Sequence, residues 1–218
     1  MAAFIEQLTK LDRHWLLTIN GCHNDFFDTF FFGISSTWTW IPLLLTLVAL
    51  LWHQYGTKRM LWLLLTLAVV VLLADQLSSS VIKPLVQRFR PTHNPEIGNL
   101  VHIVHDYRGG LYGFVSSHAA NCFAVALLLT LVLRRWSVAV TLFVWAVLNG
   151  WSRIYLGVHY PGDVFCGMLL GCLVAVLCYW AWKHWFSKSA TLPQMQHAWL
   201  LATTFVVTLA VLCMMAAV

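Results

Sequence analysis

Long runs of hydrophobic residues alternate with short polar segments along the chain, and this alternation predicts helices that cross a membrane. A membrane helix needs roughly 20 predominantly apolar residues, and about six segments approach that length. They lie near residues 37–54, 59–82, 117–133, 137–155, 161–183 and 198–217. The pattern therefore predicts an all-α fold, a polytopic membrane bundle of about six transmembrane helices.

The N-terminal part of the chain carries shorter, two-sided patterns. Apolar residues recur at helical spacing over 4–19, with charged residues off that stripe, and a second, aromatic stripe covers 26–34. Both patterns predict amphipathic helices that lie in the membrane interface. We therefore expect interfacial helices over 1–36 and a transmembrane bundle over 37–218, in a single domain overall. A spanning helix across 15–34 is the competing interpretation.

Composition supports a membrane protein and excludes an ordinary soluble core. The 218 residues are 60% hydrophobic and 10% charged, whereas soluble domains carry roughly a quarter charged residues. All cysteines except Cys22 fall inside predicted membrane helices and form no CxxC pair, which indicates apolar fillers. The formal net charge of +5 arises without any pattern that indicates nucleic acid.

The connecting segments differ in charge and length, and this difference predicts an orientation. Three short loops hold basic residues and no acidic ones: Lys58 and Arg59, Arg134 and Arg135, and Lys183 and Lys188. In a six-helix bundle these loops share one side, which the positive-inside rule makes cytoplasmic. The opposite side carries segment 84–116, which is rich in proline and glycine. So long a connection is typical of a lid or binding element.

Three polar clusters fall on that second side. In the first, Lys83 and Arg90 are seven residues apart, so two helical turns would put both on one face. Arginine offers a planar fork for phosphate oxygens, and lysine offers a mobile point charge. Interfacial residues that extend their charges to water are the alternative.

The second cluster places Ser116, Ser117 and His118 directly before the third spanning segment. Ser116 is a predicted N-cap, and the free N–H groups of the first turn would form a phosphate cradle. His118 would lie beside anything bound there. Taken alone, the cluster also fits a purely structural helix cap.

The third cluster connects the fourth and fifth spanning segments. Arg153 ends an apolar run, and a cation so near the membrane core needs a partner or an anionic ligand. Pro161 is well placed to open the next helix. Asp163 follows His159 by four residues and can reach back to its Nδ1–H, which leaves Nε2 to attack. A capping aspartate explains this pair but not Arg153.

Together the clusters resemble the type 2 phosphatidic acid phosphatase superfamily, which includes bacterial acid phosphatases and vanadium haloperoxidases. The first motif matches at Lys83, Arg90 and Pro91, and the third matches at Ser152, Arg153, His159 and Asp163. The second motif, Pro-Ser-Gly-His in the superfamily, keeps its serine at Ser116 and its histidine at His118. Val115 and Ser117, however, stand where proline and glycine are usual, so the backbone of the phosphate cradle is expected to differ.

The resemblance implies a metal-independent membrane phosphatase that acts on a lipid phosphomonoester or pyrophosphate through a phosphohistidine. His159 would attack, Asp163 would orient it, and His118 would protonate the leaving oxygen and then activate water. The phosphate would be bound by Lys83, Arg90, Arg153, Ser116 and the N–H groups near Ser117. No metal or other cofactor is implied.

The lipid tail is not specified by these motifs. Undecaprenyl pyrophosphate, phosphatidylglycerol phosphate and a lipid A phosphate all fit a site facing the periplasm in a bacterial inner membrane. A lipid phosphotransferase is the first alternative, and a non-catalytic lipid-phosphate binder or transporter is the second. The sequence leaves the oligomeric state open.

Several other polar or small residues also carry expectations. His102, His105 and Asp106 lie in the glycine-rich loop and would contact a substrate head group or, less in keeping with their spacing, a metal. Asp75 is expected to face the bundle interior, hydrogen-bonded or helping to position Lys83. The remaining pattern is a GxxxG pair at Gly167 and Gly171, which predicts close helix packing.

Overall fold

The computed structural model describes residues 2–185 and 194–218, and within these ranges every regular element is a helix. The α-helices are α1 (Ala2–Gly21), α2 (Asp25–Ser35), α3 (Ile41–Gln76), α4 (Lys83–Val86), α5 (Ser117–Leu133), α6 (Trp136–Tyr155), α7 (Pro161–Trp185) and α8 (Trp199–Ala216). The predicted all-α membrane bundle is confirmed. Lys188, part of one predicted basic loop, lies outside the described residues.

The N-terminal region forms two helices, as predicted, and not one spanning helix across 15–34. Helix α1 ends at Gly21, and α2 begins at Asp25. Asn24 caps α2, because its side chain accepts a hydrogen bond of 2.8 Å from the Phe27 backbone N–H. Helix α1 packs against α6 and α7, while α2 packs against α6 and α8. Their location in the membrane interface stays a prediction.

Helix α3 contains the first two predicted spans. The chain reverses direction between them, at Gly56. This residue has φ of +73° and ψ of 166°, a conformation outside the helical region that glycine adopts at little steric penalty. After the reversal, Val71 lines the same groove as Leu43 and Leu47. A straight helix would separate Leu43 from Val71 by about 40 Å. The predicted segments 37–54 and 59–82 are therefore two antiparallel arms.

Helix α5 lies at the centre of the bundle, where it packs against α3, α6 and α7. Its contact with α7 depends on Gly167 and Gly171. A Cβ atom on either glycine would collide with the backbone oxygen of Ser116 or Ala120. The predicted close packing of the GxxxG pair is thus confirmed.

The apolar helices match the predicted number of about six spans. By length and hydropathy, candidate spans are Thr37–Val86, Trp136–Tyr155, Pro161–His184 and Trp199–Ala216, and Ser117–Leu133 is a shorter apolar helix. The first contains the reversal at Gly56 and so supplies two crossings. The three polar clusters of the sequence lie at the same end of this bundle.

The basic loops lie together at the opposite end of the bundle. Gln54, close to the α3 reversal, donates a hydrogen bond of 2.6 Å to the Gln194 carbonyl. Arg135 donates one of 3.2 Å to the Gln194 side chain. The predicted separation of basic loops from polar clusters therefore holds for the described part of these loops.

Candidate active site

The three sequence clusters meet at the ends of α4, α5, α6 and α7. The Lys83 ammonium donates a hydrogen bond to the Ser117 hydroxyl, which joins the first cluster to the second. The Ser116 backbone N–H donates to the Asp163 carbonyl at 2.9 Å, which joins the second to the third. Lys83, Arg90, Ser116, Ser117, His118, Arg153, His159 and Asp163 therefore belong to one site.

Arg90 contacts His159 and thereby defines which ring nitrogen carries the proton. Arg90 NH1 lies 3.1 Å from His159 Nε2. A guanidinium has no acceptor, so Nε2 must accept, and the proton of a neutral ring resides on Nδ1. The Nε2 lone pair therefore points into the site, as the sequence analysis expected for a nucleophile.

The expected hydrogen bond from His159 to Asp163 is not formed. His159 Nδ1 lies 3.5 Å from Asp163 Oδ2 and has no hydrogen-bond partner. Both Asp163 oxygens are engaged elsewhere: Oδ1 accepts from Arg88 at 2.7 Å, and Oδ2 accepts from the Tyr160 backbone N–H at 3.0 Å. These two bonds hold the carboxylate slightly away from the ring.

His159 lies in a strongly electropositive, buried environment. Only 1% of its surface is exposed. Burial, followed by the charges of the surrounding cations, holds the pKa of His159 well below its usual range; the cations are Arg90, Arg153 and Lys83, with His118 nearby. Burial and the neighbouring Arg153 also lower the pKa of Arg90 to about 10. So many cations around one neutral imidazole indicate a site built for an anion.

Arg153 is buried and held at two of its nitrogens. NH1 donates to the Ser35 hydroxyl, and NH2 donates to the Tyr107 hydroxyl at 2.8 Å. Its Nε has no hydrogen-bond partner, although its guanidinium lies 5.3 Å from the centre of the Tyr107 ring. A cation with an unsatisfied buried donor fits the predicted role of contacting an anionic ligand.

The first cluster reaches the site by a different path from the one its spacing predicted. The helix ends at Val86, and Gln87 adopts a left-handed conformation with φ of 51°. Arg90 lies beyond this turn in extended backbone, where its N–H donates to the Leu111 carbonyl at 3.0 Å. The expectation that Lys83 and Arg90 share one helix face is therefore wrong, and a loop contact positions Arg90.

The start of α5 forms the predicted helix cap. Ser116 is the N-cap and accepts a 3.4 Å hydrogen bond from the Ala119 N–H. The first N–H that donates within the helix is that of Ala120, to the Ser116 carbonyl, so the N–H groups of Ser117 and His118 are available to an anion. Ser79, which sequence analysis did not select, lies 2.8 Å from the Ser117 hydroxyl and helps to hold it beside Lys83.

A cavity descends from His118 towards the middle of the bundle. This cavity has a volume of about 320 Å³, and the residues that line it include His118, Asn121 and Asn149. A second, largely apolar groove of about 460 Å³ shares five lining residues with it: Thr37, Trp40, Val71, Val125 and Trp145. The cavity and the groove are therefore continuous. Their polar end is lined by His118, and their apolar end lies among α3, α5 and α6.

The sequence profile of the PAP2 superfamily matches residues 60–187, which include all three clusters. The chain belongs to the PAP2 superfamily. A lipid A 4′-phosphatase from Porphyromonas gingivalis is 35% identical over 189 residues, covering 85% of this chain and 80% of that protein. Another, from Bacteroides thetaiotaomicron, is 38% identical over 169 residues, covering 77% and 75%.

A solved PAP2 structure has the same fold. The crystal structure of a transmembrane PAP2-type phosphatidylglycerolphosphate phosphatase from Bacillus subtilis aligns with a TM-score of 0.60 at 25% identity, over 84% of this chain and 88% of that one. The predicted resemblance is confirmed, and this protein is a bacterial multi-pass membrane phosphatase.

Two loop residues singled out by the sequence, His102 and His105, make their contacts away from the candidate active site. His102 Nε2 lies 2.7 Å from Asp28, and its ring stacks on His23 with centroids 3.7 Å apart. His105 packs edge-on against Phe32. Within residues 2–185 and 194–218, no group of three or more His, Cys, Asp or Glu side chains is arranged to hold a metal ion. The contact between His102 and Asp28 instead connects the loop to α2.

Asp75 has the hydrogen-bonded environment expected for it. One of its oxygens accepts from Asn121 at 3.5 Å, across the contact between α3 and α5. Several partners of the site were missed, because they belong to no motif: Asp12, Ser35, Ser79, Arg88 and Tyr107. Only Arg88 carried a signal, as an additional cation inside the first cluster.

Proposed function

We propose that this PAP2 protein hydrolyses a phosphate monoester of lipid A through a phosphohistidine formed on His159. The observation that carries the proposal is the Nε2 lone pair of His159, which points towards Arg90 in a buried site shared with Arg153 and Lys83. A neutral nucleophilic nitrogen beside several cations is the arrangement that attack on a phosphorus atom requires.

The first step exchanges an ester oxygen for the histidine nitrogen. When a phosphate binds, Arg90 transfers its hydrogen bond from Nε2 to a phosphate oxygen, which frees the lone pair. Nε2 then attacks phosphorus in line with the leaving oxygen, the P–O ester bond breaks and a P–N bond forms. The Nδ1 proton stays on the ring, and Asp163 stabilises the resulting positive charge from 3.5 Å.

His118 serves both steps as the proton carrier. It donates a proton to the leaving sugar oxygen in the first step, and it then accepts one from the attacking water in the second. Water adds to phosphorus, the P–N bond breaks, and inorganic phosphate leaves. Lys83, Arg90 and Arg153, with the N–H groups at the start of α5, compensate the phosphate charge. We therefore expect turnover without a metal ion.

The similarity to relatives supports lipid A as the substrate over the other two candidate lipids, and the groove below His118 fits the apolar chain that all three carry. Two relatives that are 35% and 38% identical, over 85% and 77% of this chain, are lipid A 4′-phosphatases, whereas the phosphatidylglycerolphosphate phosphatase structure is 25% identical. The groove that descends from His118 becomes apolar towards α3, α5 and α6, as an acyl chain entering laterally would require. We assign the substrate as the 4′-phosphate monoester of lipid A, with one acyl chain in this groove.

We place the active site on the periplasmic side of the inner membrane. The short basic loops lie at the opposite end of the bundle, and the positive-inside rule makes that end cytoplasmic. An alkaline phosphatase reporter, which is active only in the periplasm, should be inactive when fused after Lys188 and active when fused within the 84–116 segment. The reverse pattern would contradict the orientation.

The test of function is phosphate release by detergent-purified protein from three lipids: lipid A, phosphatidylglycerol phosphate and undecaprenyl pyrophosphate. EDTA is present throughout, and His159→Ala is the matched control. We expect one equivalent of inorganic phosphate per lipid A, with loss of the 4′-phosphate shown by mass spectrometry. Faster release from either other lipid would reassign the substrate, and transfer of phosphate to a second lipid would indicate a phosphotransferase.

A further inference from the structure

Arg88 joins the N-terminal helix to the candidate catalytic aspartate. Its NH1 donates to Asp163 Oδ1 at 2.7 Å, and its NH2 donates to Asp12 Oδ2 at 2.8 Å. The guanidinium also lies 4.0 Å from the centre of the Tyr160 ring. Asp163 is fully buried, and the Asp12 side chain is only 15% exposed. One cation is thus shared by two shielded carboxylates from α1 and α7.

Asp12 makes a second contact, with the start of α7. Its Oδ1 accepts a hydrogen bond of 2.7 Å from the Gly162 N–H, one of the free donors at that helix end. A Cβ atom at position 162 would lie 2.6 Å from Asp12 Oδ2, so a larger residue there would displace the Asp12 carboxylate. Asp12 therefore contacts both the helix that carries Asp163 and the arginine that binds Asp163.

The sharing of Arg88 determines how much of the Asp163 charge is available to His159. Burial lowers the pKa of Arg88, but attraction to Asp163 and Asp12 more than offsets it, so the pKa lies above its usual value. If the Asp12 charge were lost, Arg88 would interact with Asp163 alone. That carboxylate would be drawn further towards Arg88, and its stabilisation of a positive His159 ring would weaken.

We propose that Asp12 is a positioning residue for catalysis, which acts through Arg88 to keep Asp163 available to His159. This inference rests on the proposed function, since it assumes that His159 becomes positively charged during turnover. It also gives α1 a role besides its predicted place in the membrane interface, because α1 supplies a charge that the reaction uses. Asp12 touches neither the phosphate nor the histidine, so its removal should lower kcat and leave KM largely unchanged.

The experiment is a double-mutant cycle of Asp12→Asn and Arg88→Gln, with kcat and KM measured for lipid A. Asparagine keeps an acceptor for the Gly162 N–H, and it removes both the charge and the oxygen that accepts from Arg88. We expect Asp12→Asn to lower kcat about tenfold in the wild-type background, with KM within about twofold. In the Arg88→Gln background, the same change should cause no further loss. Glu6→Gln is the matched control, because Glu6 is an exposed acid of α1 paired with Lys10.

The outcomes separate this inference from the proposed function. Unchanged kcat in Asp12→Asn would overturn the inference, and so would an equal loss in both backgrounds. Absence of phosphate release by the wild-type protein would contradict the proposed function instead. In that case the affinity for orthovanadate, which bonds to the attacking nitrogen and so mimics the transition state, is compared across the same cycle by thermal unfolding. A loss confined to the wild-type background supports the inference, and no loss overturns it.

Discussion

Replacing Arg153 by lysine keeps the charge in the site and removes the planar fork that holds it. Arg153 is 3% exposed and donates to the Ser35 and Tyr107 hydroxyls, while its Nε has no partner. A lysine has all its donors on one nitrogen, so it cannot reach both hydroxyls and a phosphate oxygen as the separate guanidinium nitrogens do. Loss of one charge-assisted hydrogen bond to the phosphate amounts to about 1.5–3 kcal/mol. At about 1.4 kcal/mol per tenfold, kcat/KM should fall roughly 10- to 150-fold.

The assay is steady-state phosphate release from lipid A, with the thermal unfolding midpoint measured for each variant in detergent. Tyr107→Phe is the matched control, because it removes one 2.8 Å hydrogen bond that positions the guanidinium and leaves the guanidinium itself in place. That change is expected to lower kcat/KM by about two- to tenfold. If Arg153→Lys kept kcat/KM within about threefold of wild type, Arg153 would not bind the transferring phosphate.

Two further predictions concern stability. In Gly171→Ala, the added Cβ would collide with the Ala120 carbonyl, so we expect a loss of about 1–3 kcal/mol in the free energy of unfolding; Gly110→Ala, where a Cβ meets nothing within 4 Å, should have little effect. Because the pKa of buried His159 is lowered on folding, the unfolded chain binds an extra proton below about pH 6.5, and stability should fall by about 1.4 kcal/mol per pH unit towards pH 5. His159→Gln should reduce this slope, and equal slopes in both proteins would show that His159 is not kept neutral by the fold.

The helical architecture was predictable from the sequence, since uninterrupted apolar runs define where spanning helices begin and end. Polar clusters next to those ends are brought together whenever consecutive helices run antiparallel, and this placed His118, Arg153 and His159 correctly. The Ser116 cap was predictable for a local reason, because a serine before an apolar run satisfies free N–H groups of the first turn.

The partners of the site residues were not predictable, because they come from distant parts of the chain. Asp12 and Arg88 are 76 positions apart, and Ser35 and Arg153 are 118 apart. No periodic pattern encodes such pairs. The hydrogen bond expected between His159 and Asp163 is absent for the same reason. Arg88 binds the carboxylate, and the position of Arg88 depends on the tertiary fold.

The most direct test of the central claim is to trap the phosphorylated enzyme and locate the phosphate. His118→Ala is mixed with an activated ³²P-labelled aryl phosphate, whose leaving group needs no acid, and is then denatured in alkali, in which phosphohistidine is stable. The mechanism predicts label on His159 alone, at close to one equivalent per chain, and no label in the His118→Ala/His159→Ala double variant. Label on another residue, or equal label in the double variant, would contradict His159 as the nucleophile.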